Sequence, residues 1–201
     1  MSRRRARVQD AEAYLLNAYA WSETSVIAHI FSKEHGIVVA VAKGAKRPYS
    51  VMRPILSHFH PLLLSWTGQG EVKTLIRAEN NGFCPIQGRA LMPAWYMNEL
   101  ILKFLAPQDP HPELFDIYAD CLQQLANQHN ENAVLRRFEW ELLEKTGYGS
   151  DQPMPDFNDV TQNRHWRKQL RQRLDEQLEH RDLKTRHVIQ SLHTLARSLR
   201  D

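Results

Sequence analysis

At 201 residues the chain has room for one large or two small domains, each able to bury a core, and its 42% hydrophobic and 24% charged residues are ordinary for a soluble globular protein. Two cysteines, Cys84 and Cys121, with no secretory apolar region and no long apolar run, argue against a disulfide framework and a membrane span and for a reducing, cytoplasmic setting. The net charge of +3 conceals three zones: residues 1–80 hold 11 Lys/Arg and 6 Asp/Glu, residues 81–160 hold 5 and 12, and residues 161–201 hold 10 and 5.

Basic zones at both ends point to a polyanion partner, because neutralising phosphates releases counterions without any base contact. Chance clustering on a solvated face is the competing reading.

The first eighty residues read as strands. Ala13–Tyr19, Thr24–Phe31, Ile37–Ala42, Pro61–Trp66 and Val72–Ile76 are short apolar segments, most of them parted by turn residues such as Ser22-Glu23, His35-Gly36 and Gly68-Gln69-Gly70. Five such strands suit a small closed barrel, either an oligonucleotide-binding (OB) fold or an SH3-like one. From about Arg89 the period changes to 3.6. Leu91, Trp95, Leu102 and Leu105 fit a first helix, ended by the Pro107–Pro112 segment. Leu114, Ile117, Cys121, Leu122 and Leu125 fit a second. A third runs from about Glu131 to Thr146, with Val134, Leu135, Phe138 and Leu142 inward and Gly147 placed as its C′ residue. The segment Ser150–Val160, with Pro153, Pro155 and three aspartates, reads as a loop. Beyond it Trp166, Leu170, Leu174 and Leu178 recur every four residues, and Val188, Leu192, Leu195 and Leu199 line a last helix. The expected fold class is therefore α+β, with a five-stranded barrel over 1–82 and a mainly α-helical domain over 83–201 that carries a loop at about 150–160.

Among side chains that bear on function, Lys43-Gly44-Ala45-Lys46-Arg47-Pro48 stands out. Gly44 lets backbone approach a ligand, Lys43, Lys46 and Arg47 can each meet a phosphate, and Pro48 limits the entropy lost on ordering. The glycine spacing of a nucleotide P-loop is absent. Tyr49, Trp21 and Trp66 are candidate platforms for stacked bases, and Arg3, Arg4 and Arg5 form a basic arm able to follow a phosphate backbone or merely to solubilise the terminus. In the third predicted helix Arg136-Arg137 lies beside Leu135 and Phe138, a combination that suits an acidic peptide with an apolar end; intrahelical pairing with Glu139, Glu141 or Glu144 is the simpler reading. Arg164, Lys168 and Arg171 share one helical face, an ordinary amphipathic surface that is secondarily a second DNA track. His58 and His60, and the isolated cysteines, lack metal-ligand spacing. No catalytic triad, dinucleotide fingerprint or paired acids are recognisable, so neither an enzyme nor a cofactor is expected.

Several segments, taken in order, resemble the bacterial RecO family of DNA repair proteins: Trp21-Ser22-Glu23-Thr24-Ser25, Val41-Ala42-Lys43-Gly44-Ala45-Lys46, Pro61-Leu62-Leu63-Leu64, Gly70–Leu75, Tyr96-Met97-Asn98-Glu99-Leu100, Leu135-Arg136-Arg137-Phe138-Glu139, Gly147-Tyr148-Gly149 and Leu183-Lys184-Thr185-Arg186. The resemblance implies an N-terminal OB barrel, a helical C-terminal domain, and a cytoplasmic, nucleoid-associated mediator of recombinational repair. Such a mediator binds single- and double-stranded DNA, anneals complementary strands, and works with RecR to help RecA displace single-stranded DNA-binding protein. It also implies recognition of that protein's acidic, Phe-ended C-terminal tail, which assigns Arg136, Arg137, Leu135 and Phe138 to a partner-peptide site. Two departures stand out: the four zinc-binding cysteines that many relatives carry after GYG are missing here, and the stretch from Gly149 to Leu183 is short for the family. Two other classes compete with this reading. A protein-interaction adaptor would present an acidic or purely apolar barrel face, and a small hydrolase would need acids converging on a metal.

Overall fold

The computed structural model describes residues 7–178, 183–186, 188 and 191. They belong to two compact units, the first made of residues up to Pro85 together with Leu105–Ala119, the second of Ile86–Phe104 and the residues from Asp120 onward.

The first unit is a closed barrel of five strands, β1 (Arg7–Trp21), β2 (Ser25–Ser32), β3 (Gly36–Ala42), β4 (Leu62–Thr67) and β5 (Val72–Asn80), in the order β1-β2-β3-β5-β4. All neighbours are antiparallel except β3 and β5. With β1 returning to β4, this is the OB connectivity, which removes the SH3-like alternative. Alternate residues fill the interior: Ala13 and Leu15, Ala28 and Ile30, Val38, Ala40 and Ala42, and Leu62, Leu64 and Trp66. Many are alanines, because a five-stranded barrel is narrow and leaves little volume per side chain.

β1 is longer than its apolar pattern predicts. Its first half pairs with β4 from Arg7↔Thr67 to Ala13↔Leu62, and its second half with β2 from Ala13↔Ser32 to Trp21↔Ser25. The change of partner needs a bend, supplied by irregularities between Val8 and Ala11 and between Leu15 and Asn17. Asp10 takes φ 47° at the first of them. There Ser65 Oγ accepts from the Asp10 N–H (3.0 Å) and donates to its carboxylate (3.1 Å).

The outer faces of β1 and β2 are also apolar, and they are covered within the same unit. Tyr14 and Phe31 pack on Phe115 and Tyr118, with ring centroids 5.0–6.0 Å apart. The start of β3 meets the same segment, since Gln108 N donates to Ile37 O at 3.0 Å.

The second unit contains α1 (Leu91–Phe104), the C-terminal half of α2 (Pro112–Ala126), α3 (Glu131–Lys145) and α4 (Val160–Gln177). Pro93 sits in the first turn of α1, where its missing N–H has no helical partner to lose. The stripe predicted for α1 is out of phase. Leu91 is exposed, whereas Tyr96, Met97, Asn98, Leu100 and Ile101 are buried, because the buried face of this helix includes polar groups that hydropathy assigns to solvent.

α3 begins where expected. The Asn130 side chain accepts from the N–H groups of Asn132 and Ala133. It ends at Gly147, whose φ of +84° lets Tyr148 N reach Leu143 O at 2.8 Å. The aspartate-rich loop before α4 is packed rather than loose, since Phe157 is buried 6.3 Å from the Trp140 ring. The predicted stripe Trp166, Leu170, Leu174 and Leu178 is buried throughout. The last helix expected over 188–199 lies largely outside the described residues.

Candidate nucleic-acid interface

The two segments that dominate the sequence meet at one end of the barrel. Trp21 closes β1, Ser25 opens β2 and Ala42 closes β3, and the pairings Trp21↔Ser25 and Val26↔Ala42 bring these ends together. Hydrogen bonds then fasten the turn after β3 onto the turn after β1: Lys46 N donates to Thr24 O at 2.9 Å, and Lys46 Nζ to Ser22 O at 3.2 Å. Gly44, at φ +73°, lets the turn double back, and the Arg47 side chain lies across it about 3.6 Å from where a Cβ would stand. Lys43, Lys46 and Arg47 are all exposed.

The remaining cations of this unit show why the attraction concentrates here. Lys33 pairs with Asp116 at 2.7 Å, and Arg77 with Glu79 and Asp10 at 2.6 and 3.4 Å. Lys73 is buried against Gly70 O and Gln108. Among the described residues of this unit Lys43, Lys46, Arg47 and Arg53, all in the β3–β4 connection, have no acidic partner, and the one further exposed cation without one is Arg7 at the start of β1.

Arg53 was not evident as a functional residue. It stands in the Pro48–Pro54 stretch, and only the fold brings it with Lys46 to the mouth of a cavity of about 320 Å³ whose walls include Leu15, Val26, Ala28 and Leu56. Exposed rings lie on the two segments that the turn joins: Tyr49, just after the turn, is 98% exposed, and Trp21 and Tyr19, at the end of β1, are 56% and 51% exposed. Trp66 is not among them. At 3% exposure, with its ring against His35, it is barrel core and offers no stacking surface. Arg3, Arg4 and Arg5 lie outside the described residues.

In the helical unit the paired arginines divide. Arg136 is buried and donates to Glu139 Oε1 at 2.8 Å. Tyr96 donates to the same oxygen at 2.7 Å, and Arg186 reaches the Tyr96 hydroxyl at 3.4 Å. Burial raises the Glu139 pKa while Arg136 and Tyr96 oppose the rise, and Glu139 Oε2 has no donor. Phe138 is fully buried and Leu135 nearly so, so in this conformation neither presents a groove to a ligand.

Arg137 is half-exposed and pairs with Asp120. Glu99 lies next to this network. It accepts from Lys184 N and Thr185 N at 2.9 Å and from Thr185 Oγ1 at 2.7 Å. Partial burial works against its charge, but these bonds and Lys103 hold its carboxyl below the ordinary range. Three segments far apart in sequence, Tyr96–Leu100, Leu135–Glu139 and Leu183–Arg186, are thus joined in one polar cluster.

Among the described residues no three His, Cys, Asp or Glu side chains gather as a metal site. His58 and His60 fall in the loop before β4, and His60 Nδ1 accepts from Cys84 N at 3.0 Å. Cys84 and Cys121 are buried in different units, so the residues present do not fit the zinc site of the cysteine-bearing pattern. Burial pushes the Cys121 thiol up to about 12 and raises that of Cys84. Because the thiolate is the reactive form, neither thiol should react with a disulfide reagent in the native protein. Both should titrate at once in denaturant; reaction of the native protein would contradict this burial.

A closed OB barrel carrying unpartnered cations and exposed rings at one end, with a helical companion, defines a protein built on an oligomer-binding fold. Residues 7–81 match the family model described as recombination protein O N terminal, and residues 87–153 the one described as recombination protein O C terminal. The DNA repair protein RecO of Aromatoleum aromaticum is 49% identical over 144 residues, covering 71% of this chain and 60% of the relative. Those of Cupriavidus pinatubonensis and Polynucleobacter asymbioticus are 47% and 43% identical over 148 and 149 residues, covering 51% and 61% of their lengths. The chain belongs to the RecO family. Its matches span about half to three-fifths of the length of these relatives.

Proposed function

We propose that this chain is a DNA-binding recombination mediator of DNA repair, which anneals complementary strands and helps RecA replace single-stranded DNA-binding protein, with RecR as a further partner. The observation that carries the reading is the docking of the Lys43–Arg47 turn on Ser22 and Thr24, which fixes a cluster of exposed cations at one barrel end. Phosphates drawn there lose their mutual repulsion, and base pairing then drives annealing with no catalytic side chain. Trp21 and Tyr49 supply ring faces for unstacked bases. Family membership and the DNA repair role carried in the relatives' names support the repair role. Against an adaptor with an acidic or apolar barrel face stands the cation cluster itself.

The helical unit is the natural seat for the acidic tail of the partner protein. There Arg137 is the cation to test, since Arg136 is committed to Glu139. Replacing Lys43, Lys46 and Arg47 together by Ala should lower the slope of log K against log salt for single-stranded DNA by about 2, at roughly 0.7 per phosphate contact. An unaltered slope in a folded variant would remove the barrel-end assignment.

A further inference from the structure

We infer that the helical unit holds a polyanion site of its own along α4, and that its ligand is a single-stranded nucleic-acid backbone. The inference rests on the DNA-binding reading above and adds to it a second place for a strand. α4 lies beyond residue 153, where the family match ends.

Trp166, Leu170 and Leu174 are buried and fix the rotation of α4. That rotation turns Arg164, Arg167, Lys168 and Arg171, at i, i+3, i+4 and i+7, onto one exposed face. Arg171 is 3.8 Å from Asp175, which also pairs with Arg186. Arg164, Arg167 and Lys168 have no ion pair among the described residues. At its N-terminal end the row runs into a cavity of about 200 Å³, where Arg164 and Arg167 are joined by the amides of Asn130, Asn132, Asn158 and Asn163. Of the acids beside this end, Asp159 caps α4 through Gln162 N at 2.8 Å, Asp156 accepts from Asn158 N at 2.9 Å, and Glu131, between Asn130 and Asn132, lies 3.9 Å from Arg89.

The chemistry selects the occupant. A lipid surface requires an apolar helix face to insert, and here that face is already buried in the unit. A row of guanidinium and ammonium groups is complementary to evenly repeated anions, and although Asn130 spends its oxygen on the α3 cap and Asn163 its Nδ2 on Phe157 O, the amides of Asn132 and Asn158 offer both donors and acceptors to sugar and base edges. Nothing about the site demands a duplex, and the amide-lined recess suits a base turned out of a single strand.

The test uses a fluorescent oligothymidylate and the full chain across a salt series, with three proteins: the Arg164→Gln, Arg167→Gln, Lys168→Gln variant, the barrel-end alanine variant, and both sets combined. The α4 variant should lose about 2 from the salt slope and bind about a hundredfold more weakly at 0.1 M salt. The combined variant should lose the sum of the two separate losses, as independent sites do. Circular dichroism and thermal melting confirm that each variant is folded.

If the α4 variant keeps the parent slope while the barrel-end variant loses its share, the inference fails and the proposed function stands. If neither loses slope, both fail. Displacement of an acidic peptide rather than the oligonucleotide as the only property lost from the α4 variant would also overturn the inference, by making α4 a protein-docking face.

Discussion

Replacing Arg136 by alanine is expected to destabilise the protein by about 3–5 kcal/mol, the range found when one partner of a buried ion pair is removed. The cause is what remains: Glu139 is completely buried, with Tyr96 as its other donor and Oε2 without any. The loss should depend on pH in a definite sense. Burial already raises the Glu139 pKa above its value in the unfolded chain, so between those two values the folded state binds the proton more readily. The stability contributed by this group is therefore full below the ordinary glutamate range and falls as pH rises through the folded pKa.

Removing the opposing Arg136 charge pushes that pKa higher still and extends the falling limb upward. Urea denaturation at several pH values should show the gap between variant and parent narrowing as the solution is acidified toward the ordinary glutamate range. A gap that widens instead would mean that Glu139 is not the group left exposed to the loss. Substituting both partners, Arg136→Met with Glu139→Leu, should recover much of the stability, since no uncompensated charge then remains; Tyr96 still accepts from Arg186 but its O–H loses Glu139 as acceptor, which keeps the recovery incomplete.

The second large effect is at Gly36. Its φ is +63°, and a Cβ built there would stand 2.1 Å from Asp109 O and 2.5 Å from Asp109 C. Gly36→Ala thus meets two separate penalties. The left-handed backbone costs roughly 1–2 kcal/mol for any residue with a Cβ, and relief of the contact requires moving main chain, at about 1–3 kcal/mol more. Gly44→Ala is the control. Its φ of +73° imposes the same conformational cost, but the new methyl meets only the Arg47 side chain at ordinary contact distance. Thermal or urea midpoints should therefore fall well below the parent for Gly36→Ala and by about half as much or less for Gly44→Ala. Equal losses would place the whole cost in backbone conformation and none in the contact with Asp109.

Much of the architecture was legible because the signals were local. The short apolar runs of β2, β3 and β4 and the His35-Gly36 turn located the strands, and the apolar period that begins near Glu131, with Gly147 after it, bounded α3. What escaped was set by distant partners. The polar first half of β1 shows no strand period, yet its backbone is taken up by β4. Asn98 and Tyr96 look solvent-facing by composition and are buried.

At the barrel end the cations of the Lys43–Arg47 turn were visible, but their attachment to Ser22 and Thr24, and the arrival of Arg53 beside them, depend on a long loop closing back. Arg136 and Arg137 are chemically identical in sequence. Only burial separates a structural cation held by Glu139 from one that reaches solvent.

Closure of the barrel limits the ways in which this protein can be recognised. Because β1 serves both β2 and β4, every strand has a neighbour on each side, and the edge left for an incoming chain is confined to short stretches such as Ile76–Asn80 of β5, which runs on beside β4 after its pairing with β3 has ended. Peptide capture by strand addition, and the runaway end-to-end polymerisation that open sheets risk, are thereby restricted to those short stretches. Over the rest of the barrel a partner is read through side chains and loop tips, so its preference can be altered one residue at a time without disturbing the framework beneath.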